Sequence, residues 1–567
     1  MVSWLKAYTY IVAVLVVVVL ISYTSGYIAL NAYKSWVDYS NPYAGALERV
    51  RYEDVGVFQP LADNLVFILL DGVTVDVLLD LRKSNSDVDR LLSMGALYAN
   101  GLSITPSYSV PARASILTGA PPEIHGVSSN EYKGSLGVDS IVRVAWERGY
   151  TILCSGDGSF KRLFREYMRE CVDIEEGAGH GAISLATGLD LLRRYSSTSK
   201  VFLWMGIADV DMVGHKVGGP AGVEYKATMV NIIRLTLELV ETLKREGLLN
   251  KTLLVILNDH GFKRGGHHGG LEPEVRRVFT LFIGPHVKPG FYETPFTQYD
   301  VTPTISMLMG WRIPIVSIGR PLTEGFNIDS NRVTAYVETS RTQGYNLVKA
   351  VAEMTGVEVG GIADPLEAYS ILVESKLREG MYVRLVLALA IVTSTLLVAL
   401  LLLRTARHSI GKVDIVVVAL SIIAFEAFYW LAYTAIRGPW SLSDIYSFDE
   451  VVSKIRASTA VGGLALGLTI GVAEITPYRS GFRRALVRAL TAIAIVMVIG
   501  LLYSLPTIIT YGLTVRFPFP DWSNAVLYFT SLMRVAFTGF TVLPIALATS
   551  ITLTVIGAHL FRRLKMG

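Results

Sequence analysis

Net charge, cysteine and repeated segments are all scarce in this sequence. The formal net charge is only +4 over 567 residues, so its charge gives no reason to expect a nucleic-acid polymer as a partner. Two cysteines are present, Cys154 and Cys171, and they leave both a disulfide and free thiols open. No internal repeat or low-complexity segment occurs, which excludes a repeat architecture.

Charged residues are also missing from several long stretches, and 51% of all residues are hydrophobic. The stretch from Tyr10 to Ile28 is close to the length of a membrane-spanning helix. It carries no Ala-x-Ala-type cleavage site, which favours an uncleaved anchor over a cleaved signal peptide.

Further apolar segments follow Tyr382, and each is long enough to span a bilayer. They are residues 382–403, 413–436, 457–475, 489–511 and 535–560. So many spans exceed what anchoring requires, and such a bundle could present a lipid-linked substrate. Glu426 lies inside the second segment, where an ionisable residue indicates either a functional site or a partner for an Arg or Tyr of another span.

Lysine and arginine are distributed unevenly between the ends of these segments, and this predicts an orientation. With a cytoplasmic N-terminus, the cytoplasmic set is Lys6, Arg404, Arg407, Lys412, Arg479, Arg483, Arg484, Arg488, Arg562, Arg563 and Lys565. The opposite loops hold Arg437, Lys454, Arg456, Arg516 and Arg534. We therefore expect a multi-pass cell-membrane protein with both termini in the cytoplasm and its globular domain outside the cytoplasm.

Charge density thus divides the chain into four predicted parts. They are a transmembrane anchor over residues 1–34, an extracytoplasmic catalytic domain over 35–342, a helical linker over 343–380, and a membrane domain of about five helices over 381–567.

Apolar runs in the globular domain end at acidic residues. Leu65 to Leu70 precedes Asp71, Val201 to Ile207 precedes Asp209 and Asp211, and Leu253 to Leu257 precedes Asp259. Continuous apolar runs predict strands buried on both faces of a mostly parallel sheet, and the helical patterns between them predict an α/β sandwich. Ligands of such folds bind at the carboxyl ends of the strands.

Carboxylates and imidazoles form compact clusters that offer ligands for divalent cations. The clusters are Asp71, then Asp211 with His215, then Asp259 and His260 with His267 and His268. Asp211 and His215 are one helical turn apart, which places both on one face of a helix. Of the two adjacent histidines, His268 is favoured as the ligand because two glycines follow it.

Ser109 lies between the first and second of these clusters. A hydroxyl at a helix start is often only an N-cap, and Pro111 suits the first turn of such a helix. Beside a divalent ion, however, a serine can be ionised and act as a nucleophile. The helix N-terminus also favours a phosphate, and Arg113, one turn on, can hold its oxygens as a fork.

In their order over most of residues 62–325, these residues resemble the type I phosphodiesterase/nucleotide pyrophosphatase branch of the alkaline phosphatase superfamily. The matching segments are Asn64 to Gly72, Pro106 to Pro111, Leu117 to Gly119, Pro122 to Gly126, Asp211 to His215, Asp259 to Gly261, His268 to Gly270, Asp300 to Thr304 and Gly319 to Leu322. The resemblance implies an alkaline-phosphatase-like α/β sandwich with a mostly parallel sheet.

The resemblance also implies two divalent metal ions, usually zinc in this family, with manganese as the alternative. The implied ligands are Asp211, His215 and His268 for one ion, and Asp71, Asp259 and His260 for the other. Ser109 would be shared near both. The implied reaction is in-line attack by Ser109 to give a phosphoserine, followed by transfer to water or to an acceptor hydroxyl.

Two features depart from the family. Ala112 stands where many nucleotide pyrophosphatases have an Asn that contacts phosphate, so we expect Arg113 to substitute for it. The pattern Ser109-x-Pro-x-Arg113 is also the sulfatase signature. However, Gly72 stands where sulfatases usually carry a second Asp, and His260 stands where they usually carry Asn, so the ligand set favours phosphate.

The order of one N-terminal span, an outer domain of this superfamily and a C-terminal multi-span region is similar to that of the membrane ethanolamine-phosphate transferases of glycolipid-anchor synthesis. We therefore expect a membrane phosphodiesterase or phosphotransferase that acts on a lipid or lipid-linked head group. Two alternatives stay open, a membrane sulfatase and a transporter or scaffold with a degenerate catalytic domain. The intact ligand set argues against the second.

Overall fold

A computed structural model of the chain describes residues 2–566 apart from 52, 176, 178, 363, 407–410, 438–440, 445–446, 476–480 and 512–521. The described residues form two compact units. The sheet unit runs from Trp36 to Lys376, and the helical unit comprises residues up to Ser35 and the described residues from Leu377 onward.

The described elements alternate between strands and helices in the sheet unit and are helical elsewhere. The strands are β1 (Asn64–Leu70), β2 (Ala96–Leu102), β3 (Thr151–Ser155), β4 (Met168–Val172), β5 (Val201–Ile207), β6 (Thr252–Leu257), β7 (Arg277–Ile283), β8 (Gly290–Tyr292) and β9 (Phe296–Thr297). The α-helices are α1 (Val2–Val37), α2 (Ala44–Leu47), α3 (Val75–Ser84), α4 (Ser86–Ser93), α5 (Ser109–Thr118), α6 (Pro122–His125), α7 (Ile141–Glu147), α8 (Gly158–Leu163), α9 (His180–Tyr195), α10 (Asp209–Val217), α11 (Val223–Arg245), α12 (Pro273–Arg276), α13 (Val301–Met309), α14 (Ser330–Thr355), α15 (Pro365–Arg378), α16 (Met381–Ala406), α17 (Lys412–Arg437), α18 (Phe448–Ile475), α19 (Phe482–Tyr511), α20 (Trp522–Phe537) and α21 (Leu543–Met566). A π-helical turn, Thr538–Val542, joins α20 to α21. The segment predicted as a linker, residues 343–380, falls mainly on α14 and α15.

The sheet is mixed but mostly parallel, in the order β4-β3-β5-β1-β6-β7-β2-β8, with β9 paired to β2. Strand β7 runs antiparallel to β6 and to β2, and the other described pairs are parallel. Every residue of β1 is buried, and its side chains alternate between two apolar cores, one on each face. The predicted α/β fold class with a mostly parallel sheet is confirmed.

Three neighbouring strands, β5, β1 and β6, end at the same level of the sheet. Leu70 of β1 is in register with Ile207 of β5, and Leu69 is in register with Leu257 of β6. Because the three strands are parallel, the residues that follow them gather at one edge. That edge is where Asp71, Asp211 and Asp259 lie.

Cys154 and Cys171 form a disulfide within the sheet unit. They are in register on the adjacent parallel strands β3 and β4, with their Cα atoms 4.4 Å apart. The sequence could not decide between a disulfide and free thiols, because the spacing of two cysteines does not reveal that β3 pairs with β4.

The described chain holds six helices that are long and apolar enough to cross a membrane, as predicted. They are Tyr8–Val37, Pro365–Leu397, Lys412–Ala435, Phe448–Ile475, Phe482–Thr510 and Phe529–Gly557. Small residues allow two of them to approach closely, because a Cβ on Gly467 of α18 would lie 2.9 Å from the carbonyl oxygen of Ala546.

Some basic residues that were assigned to outer loops lie inside helices, and the side of the membrane expected for them stays a prediction. Lys454 and Arg456 belong to α18, and Arg534 belongs to α20. Arg534 is buried there because Glu426 of α17 pairs with it. Other residues of the charge count, Arg407, Arg479 and Arg516, lie outside the described residues.

A buried carboxyl group links helices of the sheet unit. Glu123 of α6 is 8% exposed, and its side chain accepts a hydrogen bond from the Tyr369 hydroxyl of α15 at 2.8 Å. The Tyr39 hydroxyl donates to the backbone oxygen of Glu123 at 2.8 Å. Burial raises the pKa of Glu123 to about 7.

This carboxyl group makes the stability of the sheet unit depend on pH. An acid whose pKa is higher in the folded state favours folding at low pH, and this contribution is lost as pH rises from about 4.5 to about 7. At about 1.4 kcal/mol per pKa unit, a rise from 4.5 to about 7 makes this loss at most about 3–4 kcal/mol. In the wild-type protein this should lower the thermal unfolding midpoint as the pH rises from 5 to 7.5. We expect a smaller fall in Glu123→Gln, because glutamine does not ionise, and tryptophan fluorescence measures the midpoint. The exposed Glu224→Gln serves as control and should behave as wild type. An equal decline in all three proteins would contradict the assignment.

Candidate active site

Ser109 is the first residue of α5, after Tyr108, which is the N-cap residue and makes no side-chain cap hydrogen bond. Pro111 lies in the first turn, as the sequence predicts. The Ser109 side chain is buried, and its Oγ lies 3.1 Å from Nε2 of His260. The hydroxyl therefore points into the edge of the sheet where the acidic residues gather.

One candidate ligand set consists of Asp211, His215 and His268. Asp211 and His215 lie on α10, where one helical turn brings His215 Nε2 within 3.3 Å of the Asp211 carboxylate. His268 Nε2 lies 3.5 Å from Asp211 Oδ1 and 3.3 Å from His215 Nε2. Ligand atoms that share one tetrahedral zinc ion at about 2.0–2.1 Å are roughly 3.3 Å apart, so these three side chains fit such an ion.

The second candidate set consists of Asp71, Asp259 and His260, whose ligand atoms all lie within 4.8 Å of one another. His260 Nε2 is 3.3 Å from Asp71 Oδ1 and 3.8 Å from Asp259 Oδ1. His260 also lies within 4.8 Å of Asp211 and His268, and its ring stacks on that of His268 with centroids 3.6 Å apart. The two sets therefore adjoin at His260.

The buried carboxylates of this edge are short of partners. Oxygen atoms without a hydrogen-bond partner among the described residues are Asp71 Oδ1, Asp211 Oδ1 and Asp259 Oδ2. Burial and the carboxylates of Asp259 and Asp211 raise the pKa of Asp71 well above its usual value. Acceptor atoms that point at one another in a buried site fit a cation, and their mixture of oxygen and imidazole nitrogen suits zinc or manganese.

The surroundings lower the pKa of both His268 and Asp211 in the first set. Burial and the neighbouring His260 lower the pKa of His268 well below its usual value. Burial acts to raise the pKa of Asp211, but the hydrogen bond from His215 and the nearby imidazoles hold it below its usual value. A neutral imidazole beside an ionised carboxylate is the form in which both bind a metal ion.

Arg113 lies in the site with its guanidinium turned toward carboxylates. It donates to Asp71, to Asp157 Oδ1 at 3.1 Å and to Ser159 Oγ at 2.6 Å, and it lies 3.7 Å from Asp259 Oδ2. Contact of Arg113 with a phosphate thus stays a prediction.

Gly72 allows the end of β1 to approach α10. Its φ is +73°, and a Cβ there would lie 2.7 Å from the Phe262 ring and 2.9 Å from the Asp211 Cα. The Tyr225 hydroxyl donates to the Gly72 carbonyl oxygen at 2.5 Å. The second Asp that sulfatases usually carry at this position would not fit here.

Sequence reasoning missed two polar residues of this edge, Asp157 and Asn130. Asp157 lies two residues after the end of β3, as Asp259 does after β6, so the rule of acidic strand ends could have found it. Its Oδ2 accepts a hydrogen bond from the Trp204 indole at 2.9 Å. Asn130 accepts from the Val110 backbone N–H at 2.9 Å and so engages an amide of the first turn of α5. No sequence signal marks Asn130, because its contact depends on the tertiary fold.

His267 is also at the site, although only His268 was favoured as a ligand. It is buried, and its Nδ1 contacts Nδ1 of His215. This contact places His267 behind a predicted ligand, where it can orient the His215 ring.

The two adjacent histidines can be distinguished by metal content. We expect His268→Ala to lose one of two bound zinc ions, because it removes a ligand atom. His267→Ala should keep both ions but bind one of them about 10- to 100-fold more weakly, because it removes only the support of His215. Plasma mass spectrometry measures the number of bound zinc ions, and zinc titration measures their affinity. The control is His286→Ala, which changes an exposed histidine and should keep both ions at wild-type affinity. Two tightly bound ions in His268→Ala would contradict its assignment as a ligand.

Solved structures of similar architecture include an alkaline phosphatase. The crystal structure of wild-type alkaline phosphatase PafA aligns with 48% of this chain and 100% of that chain, at 13% sequence identity and a TM-score of 0.41.

Curated relatives include proteins named GPI ethanolamine phosphate transferase. GPI ethanolamine phosphate transferase 2 of Aspergillus fumigatus is 23% identical over 296 residues, which are 47% of this chain and 38% of the fungal protein. The catalytic subunit of human GPI ethanolamine phosphate transferase 3 is 26% identical over 229 residues, which are 39% of this chain and 20% of the human protein. The chain thus spans well under two thirds of the length of either relative.

The first strand and the segment that contains Ser109 also match a defined family. Residues 65–142, from β1 to α7, match the family described as type I phosphodiesterase / nucleotide pyrophosphatase. This match, together with the similarity to the ethanolamine phosphate transferases, confirms the resemblance that was predicted from the motifs.

Proposed function

We propose that this protein is a membrane-bound, metal-dependent phosphodiesterase or phosphotransferase that uses Ser109 as its nucleophile. The observation that supports this most is the position of Ser109 Oγ, 3.1 Å from His260 Nε2, where the two candidate ligand sets adjoin. A hydroxyl beside two sets of metal ligands is the arrangement that two-metal phosphoryl transfer requires.

The residues present fit two divalent ions, zinc or manganese. Asp211, His215 and His268 would hold one ion, and Asp71, Asp259 and His260 would hold the other, with Ser109 near both. When bound, the two ions would stabilise negative charge on the attacking and leaving oxygens of the phosphoryl group.

The reaction proceeds in two displacements at Ser109. In the first, Oγ loses its proton and bonds to phosphorus, while the bond from phosphorus to the leaving alcohol breaks and that alcohol takes up a proton. In the second, the hydroxyl of water or of an acceptor alcohol loses its proton and attacks the phosphoserine, and Ser109 leaves and is reprotonated. The N-terminus of α5 favours the negative charge that develops on Oγ.

Arg113 is proposed to contact the phosphoryl group during these steps. It lies one turn after Ser109 on α5, and Asp157 anchors one end of its guanidinium at 3.1 Å. This anchor keeps the cation within reach of the nucleophile.

Phosphate is a better substrate for this site than sulfate. The fit of Gly72 against Phe262 and Asp211 leaves no space for the second Asp of a sulfatase. In addition, His260 belongs to the second ligand set, where sulfatases usually have Asn. A sulfatase activity is therefore an outcome that the assays below must exclude rather than a second proposal.

A lipid or lipid-linked phosphate head group is the proposed substrate. Six helices of the described chain that are long and apolar enough to cross a bilayer support a multi-pass membrane protein. Similarity to ethanolamine phosphate transferases supports transfer of a phosphoethanolamine-type group. The proposed location is the cell membrane, with the sheet unit outside the cytoplasm and both termini inside.

The role of Ser109 can be tested with chromogenic esters and purified full-length protein. With zinc present, we expect turnover of a phosphodiester, and Ser109→Ala should lower kcat at least about 10³-fold because no covalent intermediate can form. Ser115→Ala is the matched control, since Ser115 lies on the same helix and its Oγ lies 2.9 Å from His125 Nε2. Retention of full activity in Ser109→Ala would remove Ser109 as the nucleophile.

The same assays separate the alternative functions. Turnover of a sulfate ester without phosphate turnover would identify a sulfatase, and turnover of no ester by the zinc-loaded protein would favour a scaffold or transporter.

The acceptor can be tested with phosphatidylethanolamine labelled in its ethanolamine group. In vesicles that contain lipid extract from the host cells, we expect the label to move to a second lipid and diacylglycerol to appear. Thin-layer chromatography and mass spectrometry follow both products, with Ser109→Ala as control. Label released only as free phosphoethanolamine would show a hydrolase instead of a transferase. A stable phosphatidylethanolamine, alongside turnover of the chromogenic diester, would contradict a phosphatidylethanolamine donor.

A further inference from the structure

Three polar residues meet in the interior of the helical unit, Arg534 of α20 with Glu426 and Tyr429 of α17. The buried Ser531 lies three residues before Arg534 on α20, which places both on one face of that helix. Here these four residues are called the Arg534 cluster. Arg534 is fully buried, and its Nη2 donates to Glu426 Oε1. The partner of Glu426 is thus an arginine of another span, which is one of the partners expected from the sequence.

Aromatic rings surround the buried guanidinium. The Arg534 Cζ lies 4.3 Å from the ring centre of Tyr429, 5.3 Å from that of Tyr503 and 5.4 Å from that of Phe425. These contacts stabilise the charge through the ring faces but accept no conventional hydrogen bond. The polar hydrogens of the cluster therefore still need acceptors.

The Arg534 cluster has more unpartnered donors than acceptors. Buried atoms without a hydrogen-bond partner among the described residues are Arg534 Nε and Nη1, Tyr429 Oη, Ser531 Oγ and Glu426 Oε2. The first four carry hydrogens that can be donated, and only the last is an acceptor alone. Each buried unsatisfied group is costly in an apolar interior, so a site of this composition favours a ligand rich in acceptor oxygens.

A second buried arginine of the same unit shows that such a shortage is not general. Arg488 of α19 donates to Asp414 through Nε at 2.7 Å and through Nη2 at 2.5 Å, and to Glu474 through Nη1 at 2.7 Å. All three of its nitrogens have carboxylate partners. Among the residues that the structure describes, Arg534 has one carboxylate partner, Glu426, for one nitrogen.

The Arg534 cluster has an exposed side through which a ligand can enter, and a second cation lies near it. The Glu426 side chain keeps 20% of its surface exposed, whereas that of Arg534 is fully enclosed, so the cluster opens toward Glu426. The Tyr433 ring stacks beside Tyr429 at 6.0 Å, and Lys454 Nζ lies 4.1 Å from the Tyr433 ring centre. The rings of Tyr429 and Tyr433 therefore separate this second cation from Arg534.

From this geometry we infer that the Arg534 cluster binds the phosphate group of a membrane phospholipid. Phosphate offers only acceptors at neutral pH and matches arginine and hydroxyl donors. Glu426 lies well inside a helix that is apolar enough to span the bilayer, so a phosphate that carries acyl chains reaches it more readily than a free ion does. The site lies wholly within the helical unit, and its existence does not depend on the proposed catalysis.

Binding can be measured on full-length protein in detergent by native mass spectrometry and calorimetry. The probes are dioctanoyl phosphatidylethanolamine, dioctanoyl phosphatidylglycerol, dioctanoylglycerol and inorganic phosphate. We expect both phospholipids to bind at least about tenfold more tightly than dioctanoylglycerol, which lacks the phosphate. Inorganic phosphate should not displace them at comparable concentration. Displacement by inorganic phosphate would identify a free anion as the ligand and overturn the lipid assignment.

Variants locate the binding to the cluster. Tyr429→Phe and Ser531→Ala each remove one donor and should weaken phospholipid binding about three- to tenfold. Glu426→Gln with Arg534→Gln removes both charges together, so no unpaired charge is left buried, and should weaken binding at least about tenfold.

Matched controls remove hydroxyls that already have partners. Tyr10→Phe removes a hydroxyl that bonds Thr491 at 2.7 Å, and Ser421→Ala removes one that donates to the Val418 carbonyl at 2.8 Å. Both should bind phospholipid as wild type does. Unchanged binding in the three cluster variants, or equal binding of dioctanoylglycerol, would show that Glu426 and Arg534 form only a structural ion pair.

Discussion

Mutual repulsion among buried carboxylates is the constraint on which the site depends. Asp71, Asp211 and Asp259 are brought together by three adjacent parallel strands, and buried like charges a few ångströms apart repel strongly. Arg113 offsets part of this charge, and metal ions are the usual means of offsetting the rest. Gly72 serves the same arrangement, since a side chain there would push β1 and α10 apart.

Much of the site could be predicted from the sequence, because its ligands obey local rules. Asp71 and Asp259 each follow an apolar run, and Asp211 and His215 are one helical turn apart. All of these residues meet at one edge because of the strand order β5-β1-β6. That order could not be predicted from short sequence patterns, since it depends on the long-range packing of fully buried strands.

Residues that act through other residues were harder to predict. His267 contacts His215, and Asp157 contacts Arg113, so each has a role only when its partner is known. Asp157 nonetheless follows a strand, which a stricter use of the same rule would have included. The Cys154–Cys171 bridge was undecided for a similar reason, since it depends on the pairing of β3 with β4.

The membrane spans were predictable from hydropathy, but the position of charge within them was not. A count of lysine and arginine treats each as a marker of the water side, and Arg534 breaks this rule because Glu426 and three aromatic rings stabilise it inside the bundle. The carboxylates of the candidate active site and the Arg534 cluster then show opposite imbalances. Among the described residues, these carboxylates have buried oxygens without donors, which fit cations, and the Arg534 cluster has mainly buried N–H and O–H groups without acceptors, which fit an anion. Metal ions and lipid phosphate are the two kinds of ligand that a metal-dependent enzyme of lipid head groups must hold, so the site and the cluster each present a polarity that the proposed chemistry requires.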